Sequence, residues 1–152
     1  MADDASAGET EMTQQAGTRD LETEVRKRVL AHDSRYQMNA YRFIYEALEY
    51  TQRLYGRDPS SDEPAKRHVT GQELLEGIRR LAIEQFGPLA PTVFRSWGVN
   101  KTSDFGEIVF NLVESKLMGK KDSDTRLDFA GGYDFDEAFG SPDGDNGSTG
   151  PK

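Results

Sequence analysis

The sequence predicts a mainly α-helical protein of about five helices, with a small C-terminal β-hairpin that gives its second half a winged-helix-like arrangement. Apolar residues recur at three- and four-residue spacing in five parts of the chain, which is the period of an amphipathic helix. Glycine and proline residues separate these parts, and two short segments flank a polar turn near the C-terminal end. At 152 residues, the chain is long enough for one domain with its own core.

A single domain is expected over residues 20–139, between disordered acidic tails at residues 1–19 and 140–152. Neither tail has an aromatic or branched aliphatic residue, so neither can bury enough surface to offset the entropy lost on ordering. The net charge of −8 comes from the ends, because residues 1–20 and 131–152 each hold five acidic residues and one basic residue. The central part holds 17 of each sign and neither attracts nor repels a phosphate backbone as a whole.

The N-terminal part of the domain is expected to contain two helices. The first begins near Asp20, where apolar residues start to recur at four-residue spacing. The second runs from about Ser34 or Met38 to Tyr55 and has a broad apolar stripe. Gly56 follows at the position where glycine commonly ends a helix.

The third helix has the clearest start signal in the chain. Thr70 and Glu73 have the spacing of a capping box, in which each side chain bonds to the other residue's backbone N–H group. Gly87 and Pro88 end the helix. The preceding residues, 57–67, are rich in proline and helix-capping residues and are expected to form an exposed loop.

Two further helices and a hairpin are expected after Pro88. The fourth helix is short, from about Leu89 to Trp97, and the fifth begins at Thr102 or Ser103. Two short strands around a polar turn follow, at residues 118–121 and 126–129.

The winged-helix-like order makes nucleic acid one alternative partner. In that arrangement the last helix enters the major groove and the hairpin contacts phosphate. The basic residues at the expected positions are Lys116, Lys120, Lys121 and Arg126. Acidic residues on the fifth helix oppose this interpretation because they repel phosphate; they are Asp104, Glu107 and Glu114.

Residues 131–139, the aromatic-acidic segment, are the most unusual local feature of the chain. Three aromatic residues alternate with acidic ones, and the candidate partner-binding residues are Tyr133, Phe135, Asp136, Glu137 and Phe139. Aromatic side chains supply buried area in an interface and acidic ones steer toward a basic partner. The alternative is that the aromatic side chains fold back onto the core of the protein, since exposed aromatic surface is unfavourable in water.

No motif in the sequence indicates catalysis, a cofactor or a metal ion. The chain has no cysteine and two histidines, and neither histidine has the spacing of a ligand or a catalytic pair. Glycine-rich phosphate-binding loops are also missing, so we expect no cofactor. The first fifteen residues lack the features of a signal peptide and no apolar run reaches the length of a membrane span, so a cytoplasmic protein without membrane contact is expected.

Four runs of residues resemble a bacterial protein family described as restricted to Planctomycetes and Verrucomicrobia, to which no activity is assigned. The runs are His68–Leu75, Gln85–Pro88, Asp104–Glu114 and Gly131–Phe139. The resemblance covers about residues 21–139 and implies a bacterial, cytoplasmic protein in which the aromatic-acidic segment belongs to the domain.

The sequence therefore favours a small non-enzymatic interaction or regulatory module whose partner is another protein. One alternative is a winged-helix-type nucleic-acid-binding regulator, and a second is an enzyme whose site has no recognisable motif.

Overall fold

The computed structural model describes residues 21–119 and 126–140. Within these residues there are five helices of seven residues or more, two single α-helical turns and two 3-10 turns. The helices and α-helical turns are α1 (residues 21–30, ending in the π-helical turn Arg26–Leu30), α2 (Met38–Leu54), the turn α3 (Pro64–Arg67), α4 (Gly71–Phe86), α5 (Ala90–Ser96), α6 (Thr102–Glu114) and the turn α7 (Phe135–Phe139). The 3-10 turns are Gly87–Leu89 and Arg126–Phe129. The prediction of a mainly helical protein is confirmed. Of the predicted tails at residues 1–19 and 140–152, all residues except Gly140 lie outside the described residues.

Local signals in the sequence set the helix ends. Thr70 Oγ1 accepts a hydrogen bond from the Glu73 backbone N–H at 3.0 Å, and the Glu73 carboxylate accepts one from the Thr70 N–H at 2.9 Å, so the capping box is confirmed. Gly56 and Gly87 follow α2 and α4 with φ values of 71° and 56°, in the left-handed region that favours glycine.

The core lies where α2 and α4 cross and α6 packs beside them. The crossing is close at Gly77 of α4, because a Cβ atom there would stand 1.7 Å from Thr51 Oγ1 of α2. Thr51 is fully buried and its hydroxyl donates to the Ala47 carbonyl at 2.7 Å. Glycine at position 77 is therefore needed for the two helices to approach this closely.

Polar side chains attach the α1–α2 connection to α6. Asn111 donates through Nδ2 to Asp33 Oδ2 and to the Tyr41 hydroxyl, both at 3.0 Å. Tyr36 donates its hydroxyl proton to Asp104 at 2.7 Å. Arg35 pairs with Asp33 at 2.8 Å, and this hydrogen-bonded guanidinium holds the pKa of the Asp33 carboxyl well below its usual range. These contacts fix the start of α2 against the side of α6.

Residues 126–129 form a 3-10 turn, so the predicted second strand is wrong. Phe129 packs against α4 and α6 where glycine leaves room for its ring: a Cβ atom at Gly71 would lie 3.1 Å from Phe129 Cε2, and one at Gly106 would lie 2.9 Å from Phe129 Cβ. The buried Thr102 hydroxyl donates to the Phe129 carbonyl at 2.6 Å and accepts from the Gly132 N–H at 3.0 Å.

Two helices therefore hold this turn, and no strand is present in the described ranges to pair with it. The turn predicted at residues 122–125 lies outside them, and so do residues 120 and 121 of the predicted first strand, whereas Met118 and Gly119 are not in a strand. The described residues accordingly support neither the β-hairpin nor the winged-helix-like arrangement.

Candidate functional site

The aromatic residues of the aromatic-acidic segment pack into the protein. Phe135 and Phe139 are each 6% exposed, and their ring centroids lie 5.4 and 5.7 Å from that of the fully buried Phe94. Tyr133 is half-buried; its hydroxyl donates to the Leu75 carbonyl at 2.8 Å, and burial raises its pKa above the ordinary value. Folding back onto the core is thus the alternative that the structure shows for these three rings.

The two acidic candidates of the same segment lie on the surface. Asp136 and Glu137 are exposed on the first turn of α7, and the Glu137 N–H bonds to the carboxylate of Asp134 at 3.1 Å. The structure therefore separates the candidate partner-binding residues into an inner aromatic group and an outer acidic pair.

The four basic candidates are described only in part. Lys116 is exposed just after α6, with φ of 63°. Lys120 and Lys121 lie outside the described residues, and of Arg126 only the backbone, in the 3-10 turn, is described. The structure thus brings no two of these side chains together within the residues it describes.

An apolar cleft of about 360 Å³ opens between α2, α4 and α6. Phe129 lies against it, and seven other apolar side chains form its walls: Leu48, Val69, Leu74, Val109, Phe110, Val113 and Met118. Phe110 is 36% exposed, so the apolar wall continues from the cleft onto the outer surface of α6. Pockets that hold small molecules or the side chains of a partner have this size and this largely apolar lining. We call this site the α2–α4–α6 cleft.

One side of the cleft is polar and is formed by the end of α2 and the residues before α4. Gln52 is 6% exposed and donates through Nε2 to the Arg67 carbonyl at 3.0 Å. Arg67 in turn donates to the Ser61 carbonyl at 2.8 Å. Arg57 donates to the His68 carbonyl at 3.1 Å and pairs with Glu73 at 3.1 Å. These bonds hold the polar wall in place.

The carboxylates with strongly lowered pKa values lie away from the cleft. Arg79 and Arg80, which bond to Glu76 at 2.7 and 2.9 Å, lower the pKa of Glu76 to about 2. Asp33 is held by Arg35 in the α1–α2 connection. Since arginine partners account for both shifts, the two carboxylates have the character of structural ion pairs. The cleft itself offers apolar surface with a few polar groups, which is an arrangement suited to binding.

The described residues contain neither a cluster of metal-binding side chains nor a helix that could span a membrane. In residues 21–119 and 126–140 no group of three or more histidine, aspartate or glutamate side chains is placed to hold a metal ion. No helix in the same part of the chain is long and apolar enough to cross a membrane.

Sequence reasoning missed the cleft, although α6 carries a signal of it. Apolar residues on this helix extend beyond one stripe, because Val109, Phe110 and Val113 lie beside the buried stripe that includes Ile108 and Leu112. A surface helix needs one apolar stripe to face its own core. A second apolar face indicates a second contact.

Comparison with models of protein families, with curated proteins and with solved structures gives no match for this chain.

Proposed function

We propose that this protein is a small, non-enzymatic, cytoplasmic interaction module that binds an apolar group of a partner protein in the α2–α4–α6 cleft. The observation that carries the proposal is the open apolar cleft itself, in a fold whose helices pack closely elsewhere, as at Gly77 and Thr51. Protein interiors leave few voids larger than a water molecule, so an apolar cleft of this size favours a binding role.

The parts of the chain outside the described residues are poor candidates to fill the cleft. Residues 120–125, which join the cleft residue Gly119 to the 3-10 turn, read Lys-Lys-Asp-Ser-Asp-Thr and contain no apolar side chain. Residues 1–20 and 141–152 contain no aromatic or branched aliphatic residue. Apart from Met1, Met12 and the side chain of Leu127, these parts offer no large apolar group, so an apolar group in the cleft is expected to come from another molecule.

The exposed edge of the cleft favours a protein partner over a free small molecule. Phe110 at this edge is 36% exposed, and a partner segment that crosses the edge buries more of this surface than a ligand confined to the cleft. A helix that lies in the groove can place two large apolar side chains inside it. Two such side chains contribute about 3–6 kcal/mol before the costs of association, which predicts a weak to moderate complex.

A matched pair of variants tests the proposal. Phe110 lines the cleft and is 36% exposed. Ile83 lies on α4 away from the cleft and is 41% exposed. Phe110→Glu and Ile83→Glu therefore each replace a large apolar side chain of similar exposure by glutamate. Short helical peptides are first selected from a displayed random library for binding to the full chain. The affinity of each selected peptide is then measured for the wild type and for both variants by calorimetry.

We expect Phe110→Glu to weaken peptide binding about tenfold or more, because a carboxylate at the edge must lose its hydration when the peptide docks. Ile83→Glu is expected to bind like the wild type. Failure to select any peptide, or equal affinity of both variants, contradicts the proposal.

Nucleic acid remains the alternative partner, but the described residues offer it less. Only Lys116 among the four basic candidates has a described side chain. If this alternative holds, binding to duplex DNA weakens steeply with salt and is lost when the four basic residues are neutralised.

A further inference from the structure

The α2–α4–α6 cleft contains a buried hydrogen-bond acceptor with no donor in the described residues. Gln52 lines the cleft, and its Nε2 atom bonds to the Arg67 carbonyl. Among the backbone groups and side chains that the structure describes, no donor bonds to its Oε1 atom. Gln52 is only 6% exposed, so the water that can reach this oxygen is water held within the cleft.

This acceptor sets a condition on whatever fills the cleft. A purely apolar group that covers Gln52 removes the remaining water and leaves the amide oxygen without a partner, which opposes binding. A group with one donor on an otherwise apolar body satisfies the oxygen and still buries its surface against Leu74, Val109 and Phe129.

We propose that the cleft recognises an apolar two-ring group with a single N–H donor, the indole of a tryptophan in the partner, and that this N–H donates to Gln52 Oε1. The inference rests on the proposed function, since it specifies which partner group enters the cleft.

Size and donor count favour indole over the other candidate side chains. An apolar cavity of about 150 Å³ is enough for benzene, and the cleft of about 360 Å³ is more than twice as large, so it has room for two fused rings. The indole N–H donates and has no acceptor, whereas a tyrosine hydroxyl also brings an acceptor and a lysine brings a charge. Tryptophan is also the residue type most enriched among the strong contacts of protein interfaces.

Two small probes of the same shape separate the donor from the apolar body. Indole carries the N–H group, and benzothiophene has a sulfur atom in its place. Binding of each compound to the full chain is followed by amide NMR, with the wild type, with Gln52→Met and with Gln52→Glu. Both variants lose the bond to the Arg67 carbonyl, but only Gln52→Glu keeps a side-chain acceptor, so their difference reports on the acceptor.

The quantity compared is the ratio of the two dissociation constants, benzothiophene over indole, since general changes in the cleft cancel in it. We expect this ratio to fall about tenfold in Gln52→Met and to be largely restored in Gln52→Glu. A merely structural role for Gln52 changes both affinities together and leaves the ratio unchanged. The amide spectrum of each variant and its urea midpoint show whether it folds.

The possible failures are distinguishable. An unchanged ratio in Gln52→Met overturns the role of Gln52, while peptides that depend on Phe110 and not on Gln52 leave the proposed function standing. If neither compound binds to the chain, the assignment of indole as the bound group is wrong. Leu127 is the one large aliphatic residue in residues 120–127. If the single substitution Leu127→Ser strengthens the binding of both compounds, the Leu127 side chain occupies the cleft in the wild type. Both proposals then fail.

Discussion

The crossing of α2 and α4 at Gly77 predicts a strong effect of one added methyl group. In Gly77→Ala the new Cβ atom would lie 1.7 Å from Thr51 Oγ1, 2.8 Å from Thr51 Cβ and 3.3 Å from Thr51 Cα. Favourable contacts between non-bonded heavy atoms occur at about 3.5–4.0 Å, so the two helices must separate. Rotation of the Thr51 side chain moves Oγ1 but not Cβ, so the 2.8 Å distance to Cβ shows that rotation alone does not relieve the overlap.

The expected cost comes from two opposing terms. Alanine favours the interior of a helix over glycine by up to about 1 kcal/mol. Overpacking a core costs about 1–3 kcal/mol and more where backbone must move. Since the overlap at Gly77 is severe, we expect Gly77→Ala to lower the free energy of unfolding by about 2 kcal/mol.

Thr51→Ala supplies the matching second variant, because it removes the nearest atom and leaves Cβ as the closest contact at 2.8 Å. Gly77→Ala should therefore cost about 1–2 kcal/mol less in the Thr51→Ala background than in the wild type. Urea unfolding of the two single variants and the double variant, followed by circular dichroism and by the fluorescence of Trp97, measures this difference. A Gly77→Ala cost below about 0.5 kcal/mol, or strictly additive effects, refutes the close crossing.

Three further predictions concern the polar and aromatic contacts of the core. Thr102→Val leaves the Phe129 carbonyl and the Gly132 N–H without their partner. It should lower the free energy of unfolding in urea by about 1–3 kcal/mol, and a decrease near zero contradicts the two hydrogen bonds. The pKa of Glu76 is about 2 in the folded protein against an ordinary value of 4.5, so its stabilisation is complete above about pH 4.5 and is lost as pH falls toward 2. The free energy of unfolding should fall more steeply over this window in the wild type than in Glu76→Gln, and parallel curves disagree with the assignment. Phe139→Ala should lower the free energy of unfolding by about 3–5 kcal/mol, because Phe139 is buried. Asp136→Ala, on the exposed side of α7, should change it by no more than about 0.5 kcal/mol. Equal changes in the two variants would show that the aromatic side of α7 does not anchor it.

The helices were predictable because their ends depend on neighbours in the sequence. The capping box at Thr70 and Glu73 and the glycine after α2 at Gly56 act within one turn of the chain, and the structure has both where they were expected. The aromatic residues of the aromatic-acidic segment left two alternatives in the sequence, and burial of Phe135 and Phe139 decided between them.

The 3-10 turn and the cleft were not predictable, because both depend on residues far apart in the chain. Residues 126–129 have a short apolar pattern that suits a strand, but the space left by Gly71 and Gly106 holds Phe129 against two helices instead. The cleft likewise requires Gln52 near the end of α2, Leu74 of α4 and Phe110 of α6 to line one space. Sequence periodicity reports which face of a helix is apolar and leaves open which helices that face will meet.

Amide NMR of the full chain with a selected helical peptide shows whether a partner's apolar group binds in the α2–α4–α6 cleft. The largest shifts are expected at cleft residues of three helices, among them Gln52, Leu74, Val109 and Val113. Exposed residues of α7, such as Asp136, should be unaffected. Shifts centred on α7, or on no contiguous surface, would contradict the claim.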